Sequence, residues 1–366
     1  MNNQFIQINL IGVMNLKMID FRLQYFPQLK DYDTMEGTRY VPFAQLTGPV
    51  LYSSNFINTD SKGFRKTRFN DKYISTDSFD KDLPLNIVIG SSTAFGIGAS
   101  NDNTTISSFL CKITGKQWLN LGVRACVSIH EIIHLIQLLP KFCKIENVVI
   151  FSGINDIYIN FLKNQASELD ARFDESYSNK MLYPPLRILV CDFLSKIYGC
   201  NSSDLLPLSK KKIIGFPFSS QKKILNKILD ATIEDKLDKL REIHLRNFFL
   251  YSSLQKQLNA KFLFCLQPFF PWTNKTPTEV ENNIFNQLMQ IQKYSNFVKI
   301  KDIIGKQEIY SKYEEIVRSS SRLHGIDYLN LNEFCNVQET IFCDQVHLVD
   351  KGYSLVSELI FNKIKS

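Results

Sequence analysis

Four places in this chain carry side chains that could do chemistry. Asp344-Gln345-Val346-His347 sets a carboxylate three residues before an imidazole, so both can converge from one turn. A carboxylate so placed fixes the imidazole tautomer and stabilises the imidazolium formed when the ring takes a serine proton. Candidate hydroxyls lie in Gly90-Ser91-Ser92-Thr93-Ala94-Phe95-Gly96, where glycine permits a sharp turn; the same serines suit a helix cap. Gly153-Ile154-Asn155-Asp156 offers an amide able to donate to a developing oxyanion, although such a tetrapeptide also makes an ordinary turn. Finally, His130-Glu131-Ile132-Ile133-His134 matches H-E-x-x-H, which on a helix puts two imidazoles on one face for zinc with the glutamate as base.

These groups need a scaffold that gathers them. From Pro84 onward short apolar runs alternate with amphipathic stretches. Leu85 to Ile89 reads as a buried strand ending at Gly90, Asn103 to Ile113 as a helix, Trp118 to Leu121 as a second strand and Asn147 to Phe151 as a third. Ser128 caps a helix ended by Pro140, whose Ile129, Ile132, Ile133 and Ile136 recur at helical spacing. Strand, helix, strand, helix, strand with short connections indicates a parallel sheet covered on both faces. The rhythm resumes with a strand at Lys261 to Leu266, a helix at Thr278 to Tyr294, a strand at Ile326 to Leu331 and a closing helix at Lys351 to Ile364. The serine turn and the Asn155 turn directly follow strands of such a sheet, at the edge where ligands bind, and the Asp344 loop follows the last strand. The zinc motif fits less well, because its helix must bury four isoleucines and no third ligand has a suitable spacing. Partly exposed helix histidines are its ordinary reading.

Ser after a first strand, Gly-x-Asn-Asp after a third and Asp-x-x-His before a C-terminal helix, in that order, resemble the SGNH hydrolases, also called the GDSL esterase/lipase family. Asn120-Leu121-Gly122, Leu266-Gln267-Pro268 and Asp344 to Leu359 add to the likeness. The resemblance implies a three-layer α/β/α, flavodoxin-like fold. It also implies Ser92 as nucleophile, His347 as general base and Asp344 as its orienting acid. The oxyanion hole would be formed by Ser92, Ala125 and Asn155, with no cofactor and no metal. Two departures stand out. Ser91 replaces the family's Asp before the nucleophile, and Ala125 replaces a glycine whose N–H donates to the oxyanion. Ala125 is expected to serve with a negative φ, since a positive φ costs alanine roughly 1 kcal/mol or more; Gly122 is the weaker substitute. Gly90-x-Ser92-x-Ala94 also looks like the G-x-S-x-G elbow of α/β-hydrolases, but that fold separates its acid and histidine widely in sequence.

Length and composition bound the rest. The chain has 366 residues, 44% hydrophobic and 22% charged, with only 15 Gly and 12 Pro, which excludes collagen-like and wholly disordered classes. The expected organisation is an N-terminal accessory segment over 1–83 and an SGNH-like catalytic domain over 84–366, with a helical insertion at about 157–258. A net charge of +7 suits an anionic partner, but apart from Lys210, Lys211, Lys212, Lys222 and Lys223 the basic residues are scattered, so no nucleic-acid stripe is expected. Eight cysteines without a CxxC pair point to reduced thiols. The apolar run within Met1 to Met18 is too short to span a bilayer and lacks the basic start of a signal peptide, so the default is a cytoplasmic protein without stable membrane insertion. By resemblance the activity is ester hydrolysis on a small acyl group, preferably acetyl on a carbohydrate. Transfer of that acyl group to a glycan hydroxyl, zinc peptidase chemistry through His130 and His134, and an inactive binding module are the alternatives. Oligomeric state is left open.

Overall fold

The computed structural model describes residues 22–35, 39–41, 45–142, 144–162, 231–292 and 296–365. In chain order the elements are α1 (Leu29–Thr34), β1 (Arg39–Val41), β2 (Gln45–Thr47), β3 (Thr67–Phe69), β4 (Lys72–Ile74), β5 (Leu85–Gly90), α2 (Ser92–Phe95), α3 (Ile106–Thr114), β6 (Gln117–Gly122), α4 (Ser128–Leu138), β7 (Ile145–Ser152), α5 (Ile154–Leu162), α6 (Ile233–Leu258), β8 (Lys261–Leu266), α7 (Glu279–Gln292), α8 (Asn296–Ile304), α9 (Gln307–His324), β9 (Asp327–Asn330) and α10 (Asp350–Lys365). The predicted helix at Asn103 to Ile113 is a 3₁₀ turn over Asp102–Thr104 followed by α3, because Thr105 is extended and its hydroxyl caps Ser108. The lysine cluster at 210–223, Pro184, Pro185 and the first apolar run lie outside the described residues.

Strands β5 to β9 form one sheet in the order β6-β5-β7-β8-β9, every pair parallel. The sequence of β5 explains its central place: all six residues of Leu-Asn-Ile-Val-Ile-Gly are buried, so neither face can meet water. Burying each aliphatic side chain contributes about 1.5–3 kcal/mol. Alternation sorts the faces of β8. Leu263 and Cys265 join Val88, Val149 and Phe151 in the core shared with Ile106 and Leu110 of α3 and Val356 and Ile360 of α10. Phe262 and Phe264 face the other layer, with Phe264 5.0 Å from Phe248 of α6 between ring centroids. The result is a three-layer α/β/α fold of flavodoxin-like strand order. Such sheets open a crevice where the order reverses, here between the carboxyl ends of β5 and β7. Ser92 and Asn155 follow those two strands.

The described residues form two compact units, one of residues up to Tyr158 and from Leu237 onward, the other within Ile159–Lys236. Two expectations about organisation therefore change. Most of α6 belongs to the first unit and not to an insertion, since Leu240, Phe248 and Tyr251 are buried there. The segment before Pro84 is also part of that unit from Arg22 on. Leu29, Tyr32, Met35 and Ile57 pack with Phe95 and Ile97 after the serine turn and with Cys343 and Val349 around the histidine loop. Arg65, fully buried, is ion-paired to Asp102 at 2.7 Å and donates to Tyr32 and to the carbonyls of Gly96 and Phe56. Removing one partner of such a buried pair costs roughly 3–5 kcal/mol, so this N-terminal arm fixes the backbone that follows Ser92. No helix of the described residues is long and apolar enough to cross a membrane, and no disulfide forms among them.

Candidate active site

The serine turn exists because a strand and a helix approach too closely for any side chain at Gly90. A Cβ there would lie 2.2 Å from the Phe151 carbonyl oxygen and 2.6 Å from Ala94 Cβ. The chain then passes through Ser91, at φ -94° and ψ -145°, into α2, which Gly96 ends in the left-handed region at φ 95°. The two serines differ in surroundings. Ser91 is 1% exposed and its hydroxyl has no hydrogen-bond partner. The Ser92 hydroxyl is half-buried and lies 2.9 Å from His347 Nε2.

The histidine comes from a loop that closes on itself. Cys343 N–H donates to His347 O and Val349 N–H to Ile341 O, while Phe270 N–H, following β8, donates to Gln345 O. Within it Asp344 is engaged through both carboxylate oxygens. Oδ1 takes the N–H groups of Val346 and His347 at 2.7 and 2.8 Å, and Oδ2 lies 2.7 Å from His347 Nδ1. Burial opposes ionisation of Asp344, but His347, Lys301 and these N–H donors outweigh it and hold the carboxyl well below the usual carboxylate range. With Nδ1–H given to the carboxylate, Nε2 presents its lone pair to the Ser92 hydroxyl. The serine loop and the histidine loop are also joined directly. Ser100 donates to Asp350 at the start of α10, Tyr353 to Ile97 O, and Gly98, at φ 94°, leaves no room for a Cβ against Leu348 O.

On the other side of Ser92, the loop after β6 is held by Val123 N–H on Gly90 O at 3.1 Å. Asn155 Nδ2 donates to Cys126 O at 2.7 Å, which orients the amide and leaves its second N–H to a ligand. Neither the Ser92 nor the Ala125 backbone N–H has an acceptor among the described residues. Gly122 is different, since its N–H is taken by Asn120 Oδ1 at 2.9 Å while Asn120 Nδ2 holds Ala94 O. Ala125 departs from expectation: its φ is +64°, not negative. The bonds to Gly90 and Cys126 on either side fix the loop, so alanine adopts the conformation that a glycine would take freely. Ala125→Gly is therefore expected to stabilise the fold by about 0.5–1 kcal/mol, the relieved left-handed strain exceeding the entropy of the freer unfolded chain. Urea denaturation checks this, and a destabilised variant would contradict the strain.

Helix α4 corrects two further expectations. Its inward residues are Glu131, Ile132, Leu135 and Leu138, whereas Ile136 is 45% exposed. His130 and His134 are buried instead of partly exposed. His134 Nε2 lies 3.9 Å from Cys126 Sγ and its ring meets Phe64 edge-on, while Val127 N–H points to His130 Nδ1. Glu131 turns from the imidazoles to accept the Ser152 hydroxyl at 2.8 Å, and burial, reinforced by nearby Asp156, pushes its carboxyl well up. Among the described residues no three or more His, Cys, Asp or Glu side chains gather as a metal site.

Three further groups support the site with little or no signal of their role in the sequence. Asp156 Oδ1 accepts from the N–H and hydroxyl of Ser128, tying the Asn155 turn to the loop that bears Ala125; its place beside Asn155 was the only signal. Gln267 Nε2 donates to Thr93 Oγ1 at 2.9 Å and braces α2. Lys301 of α8 is pushed down to about 8 by burial, against the pull of Asp344 and Asp302. Phe269 and Trp272, which follow β8, are buried in the core.

No protein-family model matches the chain, and no curated protein does. Solved structures do. An acetyl xylan esterase, AlAXEase, is 11% identical, covering 76% of this chain and 99% of its own, with a TM-score of 0.35. A GDSL-like lipase from Bacteroides thetaiotaomicron VPI-5482 is 11% identical, covering 79% and 93%, with a TM-score of 0.39. An extracellular lipase from Streptomyces rimosus is 10% identical, covering 76% and 99%, with a TM-score of 0.40.

Proposed function

We propose that this chain is a serine ester hydrolase of the SGNH type. One observation carries the reading: the unbroken run from Ser92 Oγ to His347 Nε2 at 2.9 Å and from His347 Nδ1 to Asp344 at 2.7 Å. Ser92 Oγ attacks an ester carbonyl and forms the C–O bond as its proton passes to Nε2. The negative charge moves to the former carbonyl oxygen, where the N–H groups of Ser92 and Ala125 and the Asn155 amide stabilise it. Collapse expels the alcohol, which takes the proton from His347. Water, deprotonated by the same imidazole, then attacks the acyl-serine, and collapse releases the acid as His347 returns the proton to Ser92 Oγ. Asp344, ionised throughout, stabilises each imidazolium.

The finer proposal is a small acyl ester, acetyl, carried by a carbohydrate, handled in the cytoplasm. Full-length protein incubated with acetyl-labelled oligosaccharide, with and without an unacetylated glycan, tests it. Free acetate in both arms is the expected result. Label appearing on the added glycan instead of in free acetate would make the chain an O-acyltransferase working through the same acyl-serine. No Ser92-dependent transfer to water or glycan would sink the reading.

A further inference from the structure

Arg124 stands immediately before Ala125, on the loop that joins the carboxyl end of β6 to α4. It is half-buried, yet its guanidinium has no hydrogen bond and no ion pair among the described residues. The acid that acts on it is Asp33, whose carboxylate is already bonded to Arg22. Asp33 in turn feels the charge of Asp344, so Arg124, Asp33 and the triad acid share one electrostatic neighbourhood.

This is an unusual state for arginine. A guanidinium stays charged in proteins and carries five N–H donors in a planar fork. Withdrawing part of it from water without a protein acceptor weakens its hydration and leaves donors for a ligand. The neighbouring bonds hold the loop without it: Val123 N–H reaches Gly90 O and Asn155 reaches Cys126 O. A group that is half-buried, charged, without a partner among the described residues and next to the proposed donor of an oxyanion hole is suited to an acceptor that arrives with the substrate. The fork matches a carboxylate in a bidentate pair. Phosphate has matching geometry too, but a dianion would meet the charges of Asp33 and Asp344, whereas a monoanion is repelled less.

We propose that Arg124 is a specificity-determining residue that binds a carboxylate on the substrate, so that the ester hydrolysed sits on an acidic sugar or a comparable carboxylate-bearing molecule. This rests on the esterase reading above. The test compares wild type, Arg124→Gln and Arg124→Lys on O-acetyl glucuronate and O-acetyl glucose, with p-nitrophenyl acetate as a neutral reporter. It is paired with calorimetric binding of glucuronate and of inorganic phosphate to Ser92→Ala, with and without Arg124→Gln. Losing a charge-assisted bidentate contact is expected to lower kcat/KM for the uronate ester about 10–100-fold, mainly through KM. The loss on the neutral esters should be much smaller, and the ratio is the readout. Lysine, which keeps the charge but not the fork, should recover only part. Glucuronate binding should vanish with Arg124→Gln. A uronate-to-neutral ratio unchanged by Arg124→Gln, or tighter binding of phosphate than of glucuronate, overturns the inference while the esterase reading stands. Absence of Ser92-dependent turnover on every ester defeats the esterase reading instead, and glucuronate binding still decides whether Arg124 holds a carboxylate.

Discussion

Ser92→Ala is expected to lower kcat by about 10⁴–10⁶-fold and to abolish labelling by a fluorophosphonate, the largest effect of any single substitution in this protein. The reason is specific to Oγ. Among the described residues only this hydroxyl meets His347 Nε2, so its removal leaves the base with nothing to activate and the acyl group with nothing to join. The fold should be untouched, because Ser92 is half-buried at the first position of a short helix whose end is set by Gly96 and whose start is set by Gly90. A thermal melt matching wild type separates lost chemistry from lost structure. Ser91→Ala is the internal control: its hydroxyl is buried without a partner, so that variant should label like wild type. Equal labelling of wild type and Ser92→Ala would remove the proposed nucleophile.

What the sequence reveals follows how local each cause is. Four of the five sheet strands are legible because each is a short, largely apolar and buried run ended by glycine or a polar turn, and such a run needs no distant partner to be recognised; β9, Asp-Tyr-Leu-Asn, is only partly buried at the sheet edge. The order of the motifs is legible for the same reason: each sits in the few residues after such a run or before the last helix. Features set by contacts far along the chain are not. Arg65 reads as one more surface cation until Asp102, Tyr32 and Gly96 enclose it, and with it the N-terminal arm reads as an appendage. The apolar spacing of helix α4 points to Ile136 as inward and, because a glutamate counts as outward in any periodicity, hides Glu131. Glu131 is inward, where Ser152 donates to it and burial, reinforced by Asp156, pushes its carboxyl well up. The sign of φ at Ala125 could not be read either. No residue type forces it; the anchoring of Val123 to Gly90 and of Cys126 to Asn155 does. Arg124 gave no signal, since an arginine without partners is visible only once every neighbour has been placed.

Asp344→Asn is expected to lower kcat by about 10⁴-fold with little change in KM, and the loop around it explains why a nearly isosteric change should do so much. The Asp344 carboxylate is held by two backbone donors, Val346 N–H and His347 N–H, both on Oδ1. In the variant the amide oxygen must occupy that place, because an NH₂ group there would face two other donors. The amide NH₂ is thereby forced to the position of Oδ2, opposite His347 Nδ1. As a donor it selects the tautomer in which Nδ1 is bare and Nε2 carries the proton. That Nε2–H then points at the Ser92 hydroxyl and cannot accept its proton, so the nucleophile is present but not activated. Loss of the carboxylate also removes the charge that stabilises the imidazolium in both halves of the reaction. The variant should fold as wild type and still bind substrate, because neither the oxyanion donors nor the crevice between β5 and β7 has changed. Steady-state kinetics at neutral pH measure the effect, and ¹⁵N chemical shifts of the His347 ring report which nitrogen is protonated. A kcat within tenfold of wild type, or a ring still protonated at Nδ1, would show that Asp344 does not set the tautomer on which the proposed mechanism depends.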